Sequence, residues 1–589
     1  MSSSVFAQNK IAFDVSFSEP QAHYAEVEMN ISGHKAAYLD LKMPVWTPGS
    51  YLIREFSKNV ESFKAFGSGG KELAFEKINK NTWRINTANP GLIKVRYRVY
   101  SFEISVRTSF VDESHAFLSP TGIFMYPDGQ LSVASEITIN PYRSWSKIST
   151  GLEKVSSKPN TYSATDFDIL YDSPFEVGNQ DVFEFVAEGV QHEVAMYGGG
   201  NYDKEVLKRD MAKIVSEQTK TFGINPNKRY VFIVHNFNSG GGGLEHLNST
   251  VLGASRNAYN TEAGLLRFLG LVSHEYFHIW NVKRLRPIAL GPFNYDQENY
   301  TRNLWIAEGF TAYYQDIYTK RAGLQSPDRY LMNLASSISS VENQPGNRVE
   351  TVSDASFDAW IKQYRPNENS ANSTISYYSK GALIALIMDL EIIHSSEART
   401  GLDEVMKAMY DEYYTKKGRG YTDSEFKNML EKVSGQSFDD VYRDYVNGVK
   451  TVDYNKYFEY AGLTLIDDAA KGNDAYLGAV TALKDGKITV TNISRQSPAW
   501  IAGLNVNDEI ISIDGIRINN VSDLRLSEVE KFISGKKPND KITVEFNRDG
   551  LIRQTEMTLV RNPNHKFRIS TLPNPTEAQM AVRKRWLKL

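Results

Sequence analysis

"SHEYFHIWNVKR", residues 273–284, places two of the chain's ten histidines four positions apart, with Glu275 directly after the first. The surrounding text, "GLLRFLGLVSHEYFHIWNVKRL", repeats apolar residues at helical spacing and carries no proline before Pro287. That spacing predicts a helix over 264–284. Positions i and i+4 of a helix lie on one face, about one turn apart. His274 and His278 can therefore aim two neutral nitrogens at one cation, with the carboxylate of Glu275 beside it. Two nitrogen ligands and a neighbouring carboxylate are what a zinc hydrolase requires.

The chain contains no cysteine. Disulfides, thiolate catalysis and thiolate-held zinc are thereby excluded, and any metal must be held by His, Asp and Glu. A third ligand is available in "NLWIAEGFTAYYQDIY", part of a second predicted helix over 299–322. Glu308 stands there between Ile306 and Phe310, where an unpaired carboxylate would be costly. Either it pairs with Lys283, Arg284 or Arg286, or it completes the ligand set. Three protein ligands leave the fourth position open, which marks a catalytic zinc and not a structural one.

Two further stretches suggest how a substrate would be held. "NSGGGGLEHLNST", residues 238–250, sets four glycines, Gly240 to Gly243, after an apolar strand. It is either a flexible loop or a backbone able to run beside a substrate and pair with it as an added strand. Glu245 just downstream could bind a positively charged group, while His246 reads as a local hydrogen-bonding residue. "SYYSKGALIALIMDLEI" opens a helix with Tyr377 and Tyr378. A phenol facing a zinc site can stabilise the oxyanion of a tetrahedral intermediate.

With 589 residues the chain should divide into two to four domains. A hydrophobic share of 41% against 23% charged residues is that of a globular protein and not a disordered one. A net charge of -3 gives no reason to expect nucleic acid or an anionic membrane as partner. No run of about twenty apolar residues occurs, so no membrane span is expected. In the start, "MSSSVFAQNK", the residues Val5 to Ala7 before Gln8 resemble the end of a secretory cleavage site, although no apolar stretch precedes them. One reading is a periplasmic or secreted protein whose signal has been replaced by a short leader. The other is an ordinary frayed terminus of a cytoplasmic protein.

From Ile11 to about Val186, runs such as "HYAEVEMNIS", "LIKVRYRVYS" and "QLSVASEITI" alternate with period two and predict a mostly antiparallel β domain, 1–186. From Asp203 the period changes. "DKEVLKRDMAKIVSEQTKTFG" predicts a helix closed by Gly223, and "RYVFIVHNF" a buried strand. Helices over 376–395 and 402–414 join those already described in a mainly helical region, 187–464. Beyond it "GKITVTNI", "DEIISIDG", "DKITVEFN" and "QTEMTLV" form a compact unit, 465–565. The tail, 566–589, is a short basic helix expected to dock through Trp586 and Leu587. The fold class is multidomain α+β.

Taken together, "HEYFHIWNVKRLRP", "WIAEGFTAYYQDIY", "GGGGLEH" and "YYSKGALIALIMDLEI" resemble the glycyl aminopeptidase family of zinc metallopeptidases. These are relatives of aminopeptidase N with a thermolysin-like catalytic domain. "PVWTPGSYLIREFSKNV" (44–60) looks like that family's β domain, and "SPAWIAGLNVNDEIISIDG" (497–515) resembles a PDZ domain. The resemblance implies one zinc per chain, bound by His274, His278 and Glu308, with Glu275 as general base. It puts Glu245 where aminopeptidases hold the substrate's α-amino group, although Leu244 and His246 replace the usual Met and Asn there. Gly241, Gly242 and Gly243 would lie along the substrate. Tyr378 would stabilise the oxyanion, with Tyr377 as second choice. The implied activity is removal of small N-terminal residues, glycine and alanine first. The alternatives are a zinc endopeptidase, or a PDZ-mediated peptide-binding protein with a vestigial peptidase domain. The PDZ partner would be a peptide C-terminus held at "AYLGA" (475–479).

Overall fold

The computed structural model describes residues 10–87, 91–518 and 527–589. The leader-like start at residues 5–8 lies outside the described residues. The chain forms two compact units.

The first unit takes the chain up to Thr301 together with Tyr314–Gln325 and Asp403–Phe426. Its opening part is a sheet of eight strands with two sheets of four. Strand Tyr24–Ser32 shows why: Ala25, Val27, Met29 and Ile31 are buried, while the residues between them are only partly covered. It pairs antiparallel with Lys10–Ser16 on one side and Ile93–Tyr100 on the other. The alternating apolar residues meet in one core that includes Phe13, Tyr97, Phe124 and Phe167. One pairing departs from the antiparallel pattern: Lys10–Ser16 also runs parallel to Ser135–Asn140. Both kinds of ladder have the same period of two, so alternation alone cannot distinguish them.

Strand Asp181–Ala187 folds back on Val190–Tyr197, and this pair opens a second, five-stranded sheet. Arg229–Phe237 and Ser249–Ser255 follow in parallel, and Gly243–Glu245 lies antiparallel at the far edge. Residues Tyr230 to Val234 of the central strand are all buried, as expected of a strand covered on both faces. Helix Lys204–Phe222 begins on Asp203, whose carboxylate accepts from the amides of Glu205 and Val206. It ends at Gly223 with φ 74°, the left-handed closure that glycine adopts without strain.

Helix Glu262–Phe277 starts on Thr261 and stops seven residues short of the predicted 284. Tertiary partners take over where the helix would have continued. Arg284 donates to the Ile279 carbonyl and to Asn227 Oδ1. Val282, β-branched, is turned to φ 113°, outside any helical conformation.

The second unit comprises Arg302–Tyr313, Ser326–Leu402 and Lys427–Leu589. At its centre helix Tyr377–Ser395 is buried almost all round, from Leu383 to Ile393, the pattern of a core helix. Strands Leu463–Asp467 and Phe567–Thr571 pair antiparallel and bracket a six-stranded sheet. That sheet is cored by Val490, Ile513, Ile542 and Val544. Of the tail expected as a helix over 566–589, residues Phe567–Thr571 are a strand, drawn into the ladder with Leu463–Asp467. Helix Glu577–Leu587 docks as expected: Trp586 and Leu587 are buried, and the Trp586 indole N–H donates to Tyr313 Oη at 3.0 Å. No helix among the described residues is long and apolar enough to cross a membrane.

Candidate active site

Helix Glu262–Phe277 is oriented by polar anchors on its buried side. Gln218 donates to the Ser273 carbonyl at 2.7 Å and to its hydroxyl at 3.0 Å. The Tyr276 hydroxyl lies 2.8 Å from His192 Nε2 and accepts from Asn225 at 2.7 Å. Trp280, just beyond the helix, stacks on Phe222 with ring centroids 4.8 Å apart. These contacts fix the helix rotation and therefore the direction of His274 and His278. The two imidazoles are buried, with centroids 4.9 Å apart and planes at 78°. His278 Nδ1–H donates to the Asn281 carbonyl at 2.8 Å, which leaves Nε2 as the nitrogen with a lone pair. An imidazole held through one nitrogen so that the other can coordinate is the usual arrangement around a metal.

Glu275 is 4% exposed and its side chain lies against Gly243. A Cβ at Gly243 would sit 2.1 Å from Glu275 Oε1. The edge strand can approach this carboxylate only because residue 243 has no side chain. Glu245, two residues on, is also buried, and Glu245, Glu275 and His278 bring candidate ligand atoms within 4.8 Å of one another. The Glu245 carboxylate rests against Gly49, where a Cβ would stand 2.6 Å from both oxygens. Gly49 has φ +83°, so both its space and its backbone exclude a larger residue.

The glycine-rich stretch is tied down, not loose. The Gly253 amide donates to the Gly242 carbonyl at 2.8 Å, and the Thr250 hydroxyl to the Leu244 carbonyl at 2.9 Å. His246 Nδ1 lies 3.0 Å from Asp172 Oδ1. The residue is a hydrogen-bonding one as expected, but its partner is 74 residues away and not local. Lys283 is engaged with the same Asp172 at 2.7 Å. Burial pushes the Asp172 carboxyl up, but Lys283 and His246 overcome this and hold it at about 2.

In the second unit, Glu308 is 2% exposed within Trp305–Phe310, a π-helical segment that leads into helix Thr311–Arg321. This segment crosses the first turns of Tyr377–Ser395 backbone against backbone. A Cβ at Gly309 would lie 2.6 Å from Gly381 Cα, and one at Gly381 would lie 2.7 Å from the Trp305 carbonyl oxygen. The crossing fixes Glu308 relative to Tyr377 and Tyr378, whose rings stack with centroids 4.7 Å apart. Tyr377 is wholly buried and Tyr378 half-buried, so Tyr378 is the more accessible phenol. Neither Gly309, Gly381 nor Gly49 was singled out from the sequence. A glycine inside a helical pattern was the available signal for the first two.

His192 makes the packing behind the helix sensitive to pH. Burial pushes its imidazole down to about 4, against about 6.5 for an exposed histidine. The unfolded chain therefore binds an additional proton between these values, so stability is complete above about 6.5 and falls as pH drops toward 4. The loss should reach about 3 kcal/mol. Chemical denaturation from pH 7 to pH 4 checks this. His192→Gln, which keeps a polar group opposite Tyr276 but does not titrate, should flatten the slope. An unchanged slope would remove His192 as its source.

Comparison with known proteins gives three family matches. Residues 12–179 match the peptidase M61 N-terminal domain, residues 267–384 the M61 glycyl aminopeptidase description, and residues 475–559 the PDZ domain. A solved structure, an aminopeptidase N family protein from Idiomarina loihiensis, is 30% identical. The match covers 98% of this chain and 100% of that one, with a TM-score of 0.90. The carboxy-terminal processing proteases CtpA and CtpB of Bacillus subtilis (strain 168) are 26% identical over 167 residues and 30% identical over 108. Those matches take in 27% and 18% of this chain, and 31% and 22% of the two proteases. The chain thus spans less than a third of the length of these curated relatives.

Proposed function

Because the chain belongs to the M61 glycyl aminopeptidase family, we propose that it is a zinc-dependent aminopeptidase that removes small N-terminal residues, glycine and alanine first. The observation that carries the reading is the buried array of His274, Glu275 and His278 with Glu245 beside it at the end of an edge strand. Zinc would be held, one ion per chain, by His274, His278 and Glu308. Each of the three side chains is buried, and two imidazoles with a carboxylate are a donor set that zinc accepts. Bound there, zinc would supply Lewis-acid polarisation of the scissile carbonyl and lower the pKa of water toward about 7.

The chain's own residues do the remainder. A peptide lies antiparallel along Gly243–Glu245 and pairs with its open side. Glu245 accepts from the ammonium at the peptide's N-terminus, a charge-assisted hydrogen bond. Glu275 takes the proton of the attacking water and passes it to the departing amine. The Tyr378 hydroxyl donates to the developing oxyanion, a bond that strengthens only in the transition state. The PDZ domain adds a second peptide contact, through the C-terminus of a chain held at residues 475–479.

Profiling glycyl and alanyl peptides with free and acetylated N-termini tests the reading. Free-amine peptides should be cleaved and their acetylated forms spared. Glu245→Ala should lose activity on the free-amine peptides with zinc retained. Efficient cleavage of acetylated peptides, unaffected by Glu245→Ala, would make the protein an endopeptidase.

A further inference from the structure

The edge strand that carries Glu245 has a cation at its other end. Arg107, from the opening β part of the first unit, donates through Nη2 to the Gly243 carbonyl at 3.0 Å. The loop that presents it is held in shape: the Arg107 amide donates to Ser105 Oγ, and the Ser119 hydroxyl donates to the Arg107 carbonyl. Val106 packs in one apolar cluster with Leu244, Val251 and Ile233. Arg107 is therefore seated against the edge strand by its neighbour's packing.

The direction of that contact follows from the ladder. The Gly242 carbonyl accepts from Gly253 and the His246 amide donates to Ser249, so residues 242, 244 and 246 bond inward to Ser249–Ser255. In an antiparallel pair the residues between them turn their backbone groups the other way. Gly243 and Glu245 thus offer theirs to the open side, where an added peptide strand would pair. Arg107 sits on that outward carbonyl.

We propose that Arg107 reads the C-terminal carboxylate of the substrate and so selects very short peptides with both ends free. The inference rests on the aminopeptidase reading above and names its substrate class. Glu245 supplies an anion for the substrate's ammonium, and Arg107 supplies a cation two residues along the strand. Two extended residues span at most about 7 Å, and the strand from Gly243 to Glu245 has nearly the same rise. A dipeptide zwitterion carries opposite charges at that separation, in the complementary order. The planar fork of a guanidinium matches a carboxylate in a way that a point charge does not.

The test compares glycyl dipeptides as free acids and as C-terminal amides, using the zinc-loaded full chain. Wild type should prefer the acid by about tenfold or more in kcat/KM, most of it in KM. Arg107→Ala should bring the acid-to-amide ratio toward one, and methylguanidinium should restore part of it. The ratio is insulated from a general loss of activity, which a merely structural arginine would cause equally for both substrates. An equal rate on acid and amide in wild type overturns the proposal without any variant, as does a ratio unchanged by Arg107→Ala. If no free-amine peptide of any length is cleaved, the aminopeptidase reading itself fails, a result distinct from cleavage without acid preference.

Discussion

Glu275→Gln should bind zinc like the wild type and turn over about a hundred to ten thousand times more slowly, the contribution typical of a positioned proton acceptor. The substitution preserves size, helix propensity and the packing against Gly243. It removes only the capacity to take a proton. Parallel measurement of zinc content and kcat checks the expectation, and near-normal turnover would withdraw the base role from Glu275.

A loss of about a hundredfold in kcat is expected of Gly243→Ala, although that substitution deletes no functional group. The new Cβ would stand 2.1, 2.4 and 2.6 Å from Oε1, Cδ and Cγ of Glu275. It overlaps the body of the side chain and not only its tip. The backbone cannot easily retreat, because residue 243 pairs with Leu252 on one side and meets Arg107 on the other. The carboxylate must swing away, and a displacement of about 1 Å from working geometry costs roughly two orders of magnitude. Zinc content and thermal midpoint should stay close to wild type. Gly241→Ala makes the comparison, since its Cβ meets no atom within 4 Å, and its loss should fall far short. Equal losses in the two variants would mean that the contact with Glu275 is not the cause.

What could be read from the sequence was whatever depends on local period and on punctuation. The two histidines at helical spacing, the closure of a helix at Gly223 and the alternation of Tyr24–Ser32 all report which face of an element is covered, and neighbours in sequence settle that. The early end of the helix at Phe277 was not legible, because it depends on Arg284 reaching Asn227, 57 residues away. Nor was the π-helical turn around Glu308, where Gly309 must meet Gly381 across 72 residues of chain. The polar anchors Gln218 and His192 belong to the same class: each looks like an ordinary residue of its own element until its partner, Ser273 or Tyr276, is brought to it.

The seat of Glu245 on Gly49 has a consequence for where selectivity is inherited. His274, Glu275 and His278 lie on one helix and its C-cap and could serve a peptidase of either kind. The wall that would stop a longer chain from passing through comes from a different stretch, a turn nearly two hundred residues earlier whose glycine sets how far the carboxylate may move. On the proposed reading, catalytic competence and the reading of a chain end would thus be separable traits in this molecule. A lineage could widen the turn at residue 49 and change what is cut while leaving the chemistry of cutting as it stands.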